Sequence, residues 1–201
     1  MAPRKYTLGK RVIAVAETRQ RIIDAAMALY QEKGISDTSM QDVARQADVS
    51  PGTVLNHFPT PDDLAAAVVA HLTAVLSVPG EEIFTGLHTV AERAARLVHE
   101  LAAFYERSEP WYRVLERDRG RVKALAEGEA RFYSAIDALV KMALGPLAAH
   151  EQTVAMVLAL TNPSVFGVLQ GRGLSPEAAA DLIMELLLPW LSRTAKEGSM
   201  P

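Results

Sequence analysis

Gly52, Leu55 and Asn56 lie within five residues of one another in the stretch 38–58, TSMQDVARQADVSPGTVLNHF. An asparagine amide can pair bidentately with adenine, and an apolar side chain can touch a thymine methyl. Around them Thr38, Ser39, Gln41, Thr53 and His57 carry polar groups suited to phosphate oxygens, contacts that set register rather than sequence. With Pro51 at the head of the same run, this is the chemistry of reading a duplex groove.

Such groups work only if two short helices hold them at a fixed angle. Thr38 followed by Gln41 has capping-box spacing and predicts a helix start. Met40, Val43, Ala44 and Ala47 then fall on one apolar stripe, with Gln41 and Arg45 pointing away. Asp48 occupies the turn, where a short polar side chain tolerates the left-handed conformation. Ser50 is a good N-cap and Pro51 suits the first helical position. Val54 and Phe58 point back toward the first helix, while Gly52, Leu55 and Asn56 face outward. An ordinary helical hairpin in an all-α core has the same pattern, so the residues alone leave both readings open.

Residues 19–64 resemble the DNA-binding domain of TetR-family transcriptional regulators. Arg21-Ile22-Ile23-Asp24-Ala25-Ala26, Leu29-Tyr30 and Gly34 are similar to that family's first helix. Asp42-Val43-Ala44, Val49-Ser50, Gly52-Thr53-Val54 and His57-Phe58 are similar to its helix-turn-helix. Three positions depart from the pattern. Asp48 stands where glycine is usual, Leu55 where an aromatic residue is frequent, and Pro61-Asp62-Asp63 where a phosphate-contacting lysine is common. Beyond Leu64 the resemblance is one of length and helical character. It implies an all-α chain with an N-terminal three-helix helix-turn-helix domain, followed by a larger helical ligand-binding and dimerisation domain.

The chain of 201 residues is 49% hydrophobic and dominated by helix formers, which fits a soluble α-rich protein with a sizeable core. It has no cysteine, which excludes disulfides and thiolate chemistry and agrees with a reducing cytosol. A cytoplasmic, nucleoid-associated protein is therefore expected, and the apolar run at residues 12–16 is too short for a signal-peptide core. The net charge of −3 is uneven: residues 1–60 hold eight Lys/Arg against six Asp/Glu, the remainder thirteen against eighteen. Arg4, Lys5, Lys10, Arg11, Arg19 and Arg21 cluster before and at the start of the first predicted helix. Residues 1–16 are read as a basic arm able to follow phosphates, with Arg4 and Lys5 as contacts; for residues 1–8 the alternative is a solvated tail.

The expected domains are the arm at 1–16, the DNA-binding domain at 17–64 and the regulatory domain at 65–201. A strong start at Thr60-Pro61-Asp62-Asp63 opens a helix running to about Leu76, which the resemblance makes a lever between the domains. About five further helices are read at 81–107, 111–117, 119–144, 149–170 with a kink at Asn162-Pro163, and 175–196. A break is placed at Ser108-Glu109-Pro110.

Residues 152–171 are uncharged, but Thr161, Asn162, Pro163, Ser164 and Gln170 make a poor membrane span. A helix buried on most sides of a bundle is expected instead. Its partner is the final helix, whose wide apolar face holds Leu182, Ile183, Leu186, Leu187 and Trp190. Two such helices from each subunit would form a four-helix homodimer interface, as the resemblance implies. A dimer would set two recognition helices about 34–36 Å apart on a palindromic operator of double-stranded DNA.

An apolar cavity between the regulatory helices would take a small apolar or aromatic effector, with Phe104, Tyr105, Trp111, Tyr112, Phe132, Tyr133, Met142, Asn162 and Phe166 as candidate lining. Release of a repressor by such an effector is the expected function. Neither cofactor nor metal is expected. His88, Glu92 and His99 share a helix face, but Glu92 and His99 lie about 10 Å apart along the axis, too far for one ion. Gly171-Arg172-Gly173 follows no strand, and no serine sits in a nucleophile elbow, so no enzyme is expected. The alternative is a helical ligand-binding or protein-interaction adaptor without specific DNA binding.

Overall fold

The computed structural model describes residues 5–197, which form α-helices and two short 3-10 turns, with no strand among them. They divide into two compact units. The first contains α1 (Lys5–Lys33), α2 (Met40–Gln46), α3 (Pro51–His57) and α4 (Pro61–Val75). It also contains residues 110–129, which are the end of α5 (Val90–Asp118) and the start of α6 (Lys123–Leu144). Ile22, Ile23, Ala26, Tyr30, Val43, Val54, Phe58, Leu64 and Val68 form its core, joined by Val114, Val122 and Ala124 from that second segment.

The second unit holds a 3-10 turn at Glu81–Phe84, the first part of α5 and the remainder of α6. A second 3-10 turn at Gly145–Ala149 leads into α7 (Glu151–Leu160), α8 (Pro163–Gln170) and α9 (Pro176–Glu197). Leu97, Leu101, Val140, Leu144, Phe166, Ile183 and Leu187 lie at its centre.

Several elements differ from the sequence expectation. The contact division falls after Val75 rather than at 64, and it takes residues 110–129 into the first unit. With α2 and α3 only seven residues each, the N-terminal helices enclose little interior, and the apolar side chains of that segment enlarge it. Residues 5–16, read as an arm, are helical and continuous with α1. No proline interrupts that stretch, and Ala14, Ala16 and Glu17 favour the helix. Its side chains from 11 to 17 are all exposed, Val12, Ile13 and Val15 among them. Lys5 is the first residue of α1, and Arg4 lies outside the described residues.

The helix expected from Glu81 begins only at Val90. Thr89 and Glu92 cap it reciprocally: Glu92 Oε2 accepts the Thr89 N–H at 2.9 Å, and Thr89 Oγ1 accepts the Glu92 N–H at 3.2 Å. Pro110, expected to break it, lies inside α5, which continues because Trp111 and Val114 carry its apolar stripe into the first core. Residues 151–170 form two helices of ten and eight residues, with Asn162 Oδ1 accepting the Ser164 N–H at 2.9 Å to start the second. Each is too short to span a bilayer of about 20 residues' depth. They are buried on one side, at Val154, Val157 and Phe166, and open on the other, at Met156 and Val168.

Candidate nucleic-acid interface

The helix-turn-helix is built by local capping chemistry. Ser39, one residue after the expected cap, starts α2: its Oγ accepts the Asp42 N–H at 3.1 Å, and Asp42 Oδ2 accepts the Ser39 N–H at 3.2 Å. Two overlapping boxes compete here, Thr38 with Gln41 and Ser39 with Asp42. The carboxylate wins because it also accepts Lys33 Nζ at 2.8 Å and Arg45 Nη1 at 3.3 Å.

The turn after α2 is a Schellman arrangement. Val49 N–H reaches Ala44 O at 3.0 Å, Asp48 N–H reaches Arg45 O at 3.3 Å, and Asp48 takes φ of +53° as expected. Ser50 then caps α3 by accepting the Thr53 N–H at 3.1 Å, with Pro51 at the first helical position. Val54 is fully buried and anchors α3 to the core, while Leu55 is 47% exposed and Asn56 and Gly52 face solvent.

A Cβ at Gly52 would meet only Ser50 Oγ at 3.8 Å, an ordinary contact, so the fold does not require glycine there. The far end of α3 is held by Phe58, buried beneath the Arg19 guanidinium, whose Cζ lies 4.9 Å from the ring centroid.

Not every expected phosphate donor is free to act. Thr38 Oγ1 donates to Gly34 O at 2.6 Å and Ser39 Oγ to Asp42 Oδ2 at 2.8 Å, so both hydroxyl protons are spent inside the fold. Thr53 and Ser50 hydroxyls bond each other at 2.8 Å. His57 is half-buried against Phe58. Gln41 stands exposed on α2, as does Arg45, a cation that sequence reasoning noted as outward-facing but left out of the contact set. Its signal was position: one turn past Gln41 on the same face.

Asp42 is held below the usual carboxylate range by its Lys33 hydrogen bond first, then by the Ser39 hydroxyl and amide. A depressed folded-state pKa stabilises the fold above the unfolded value and loses that contribution as pH falls through the folded one. Melting temperature should therefore hold steady down to about pH 4 and decline only below it. A Ser39→Ala variant should show a smaller decline, and identical melting curves across that range would refute the cap's role.

In the second unit, the residues read as an effector lining separate. Phe104 and Phe132 stack at 5.3 Å, and Tyr105 meets Phe166 at 5.4 Å while donating its hydroxyl to Thr161 O at 3.1 Å. Phe166 is fully buried, and these rings pack against one another. Tyr133 contacts Phe132 from the exposed side, Met142 is exposed, Tyr112 is half-buried, and Asn162 is committed to its cap. Trp111 packs into the first unit's core instead. A cleft of about 390 Å³ opens elsewhere, between Val90, Pro146, Leu147, His150, Leu188 and Leu191.

The wide face of α9 divides in two. Ile183 and Leu187, expected at a dimer interface, are buried in the chain's own core, because a helix of 3.6 residues per turn turns them away from Leu182 and Leu186. Leu182 and Leu186 remain exposed, Trp190 is half-buried, and α8, packed on α9, exposes Val168. On the histidine–glutamate face, Glu92 is a cap, and His99 lies 3.0 Å from Asp181.

Residues 22–68 match the sequence profile described as bacterial regulatory proteins, tetR family. An HTH-type transcriptional repressor of Mycobacterium tuberculosis is 38% identical over 74 residues, 37% of this chain and 37% of that protein. The match thus spans little more than a third of the relative's length. Among solved structures, a flavonoid-responsive regulator superposes with a TM-score of 0.65 at 20% identity, over 89% of this chain and 96% of that one. FadR from Bacillus subtilis in complex with stearoyl-CoA superposes at 0.61 with 17% identity, over 84% and 96%. At those identities the likeness is one of fold.

Proposed function

We propose that this chain, whose residues 22–68 match the profile of the tetR family of bacterial regulatory proteins, is a cytoplasmic, sequence-specific DNA-binding transcriptional regulator, a homodimeric repressor released by a small apolar or aromatic effector. The observation that carries the reading is α3 itself. It buries Val54 and Phe58 and offers Gly52, Leu55 and Asn56 on one free face, with Gln41 and Arg45 exposed beside it on α2. Dimerisation is supported by Leu182, Leu186 and Val168, large apolar side chains left exposed on two helices that pack together. Effector binding is supported by the cleft of about 390 Å³, which falls within the usual range for small-molecule sites and sets Leu147, Leu188 and Leu191 beside the polar groups of His150 and Ser192.

Selection of bound sequences from a random duplex pool, at near-physiological salt, tests this reading. A palindrome with half-sites about one helical turn apart is the expected product. No enrichment by folded protein would overturn the reading in favour of an adaptor. On the selected operator, Asn56→Ala should lose about 1–3 kcal/mol of discrimination at one base pair in each half-site, read by competition against single-base variants. Unchanged preference at every position would remove Asn56 from the set of base contacts.

A further inference from the structure

Asp118 ends α5 with its side chain almost wholly out of solvent, at 1% exposure. It lies 82 and 83 residues from its partners: Oδ2 accepts the Ile35 N–H at 2.8 Å, and Oδ1 accepts the Ser36 N–H at 3.0 Å. Those two amides form the turn between α1 and α2. The turn opens at Gly34 with φ of +93°, where an added Cβ would stand 2.9 Å from Asp118 Oδ2. It continues into Thr38, whose N–H meets Ile35 O at 3.1 Å and whose hydroxyl meets Gly34 O at 2.6 Å, and then directly into the Ser39 cap of α2.

A buried carboxylate is costly unless its oxygens are satisfied. Burial pushes this one up, but the Ser36 hydroxyl, the Ile35 and Ser36 amides and the Arg121 charge together hold it below its ordinary value. It is therefore an ionised group held within the fold. Tyr30, on α1 beside the same turn, is pushed up, by burial first and then by the negative charges of Asp118 and Asp62.

We propose that Asp118 is a positioning residue for duplex recognition: from outside the helix-turn-helix sequence it fixes the α1–α2 turn, and so the angle and register at which α2 and α3 meet the groove. The inference rests on the DNA-reading function proposed above. α2 is only seven residues long, so its direction depends on how its first turn is held. The pin holds the chain three residues before the cap. Two amide donors aimed at one carboxylate also give the turn a geometry that an asparagine cannot reproduce, because its single carbonyl oxygen serves one donor while its NH₂ faces the other.

The test is Asp118→Asn in the full-length chain, read by amide hydrogen exchange without DNA and by binding to the selected operator and to an unrelated duplex. Protection at Ile35 and Ser36 should fall while that at Ile23, Val43 and Val54 stays. Operator affinity should fall about tenfold or more with affinity for the unrelated duplex unchanged. Ser36→Ala, which removes only the hydroxyl contact and leaves both amide bonds, should keep most of the operator affinity. Retained protection at Ile35 and Ser36, or local loss with wild-type operator binding, overturns the proposal. Loss of protection throughout the first unit also overturns it, by making Asp118 a general core stabiliser. A wild-type chain that binds no duplex at all refutes the DNA reading itself, whereas a wild type and variant that bind the operator equally refute only this inference.

Discussion

Leu186→Glu will leave each chain folded, convert the proposed dimer to a monomer and weaken the proposed operator binding by about 10³-fold or more. Leu186 is 62% exposed on α9, so its replacement removes little from the chain's own core. In the proposed interface the same position faces a second copy, where an unpaired carboxylate would be stripped of water at a cost of several kcal/mol. On the proposed function a monomer would present one seven-residue recognition helix and lose the joint reading of two half-sites. Sedimentation velocity and operator titration on the same preparation check the prediction. A variant that stays dimeric would move the interface off this face. A monomer with undiminished operator affinity would show that each chain reads its site alone.

Gly34→Ala is the second large effect, expected to destabilise the first unit by about 2.5–5 kcal/mol. Two causes add. An L-residue at φ of +93° is strained by about 1–2 kcal/mol. In addition, the new Cβ would lie 2.9 Å from both Asp118 Oδ2 and Arg117 Cδ. Arg117 can swing aside, but Asp118 is tied to two amides, and displacing it weakens charged hydrogen bonds worth about 1.5–3 kcal/mol. Gly173 supplies the control: its φ is +92°, yet nothing lies within 4 Å of its Cβ position. Gly173→Ala should therefore cost only the backbone strain, about 1–2 kcal/mol. Urea unfolding of the two variants separates the causes. Equal losses would mean that the close approach of Asp118 contributes nothing.

What the sequence made legible was the part held by neighbours in the chain. Asp48 in the left-handed turn, the Ser50 cap and the outward placement of Leu55 and Asn56 all follow from spacings of a few residues, and each stands where expected. The cap of α2 was missed by one position because Lys33, nine residues away, helps decide between two overlapping boxes. Pro110 was read as a break because a local rule says so, whereas tertiary packing of Trp111 and Val114 carries the helix through it. The face of α9 was read too wide, since periodicity alone cannot tell the core side from the exposed side of a broad apolar stripe. Asp118 was invisible for a plainer reason: no local pattern links it to amides more than eighty residues earlier. The aromatic residues of the second unit carry no local mark that separates a cavity wall from a packed core, since aromatic side chains serve as both.

Because the first unit is assembled from two stretches of chain, it has an order of manufacture. Synthesis delivers α1 to α4 first, and Val114, Asp118, Val122 and Ala124 only after most of α5 has been made. Until then the helix-turn-helix emerges with an unfilled core and an untethered turn, so the proposed competence to read a groove would come late rather than early. The same arrangement limits how the gene can be recombined. A segment cut after Val75 and joined to the C-terminal part of another chain would carry the whole helix-turn-helix but not the side chains that finish its interior. Exchange of specificity between such proteins would have to trade residues 110–129 along with the helices they complete.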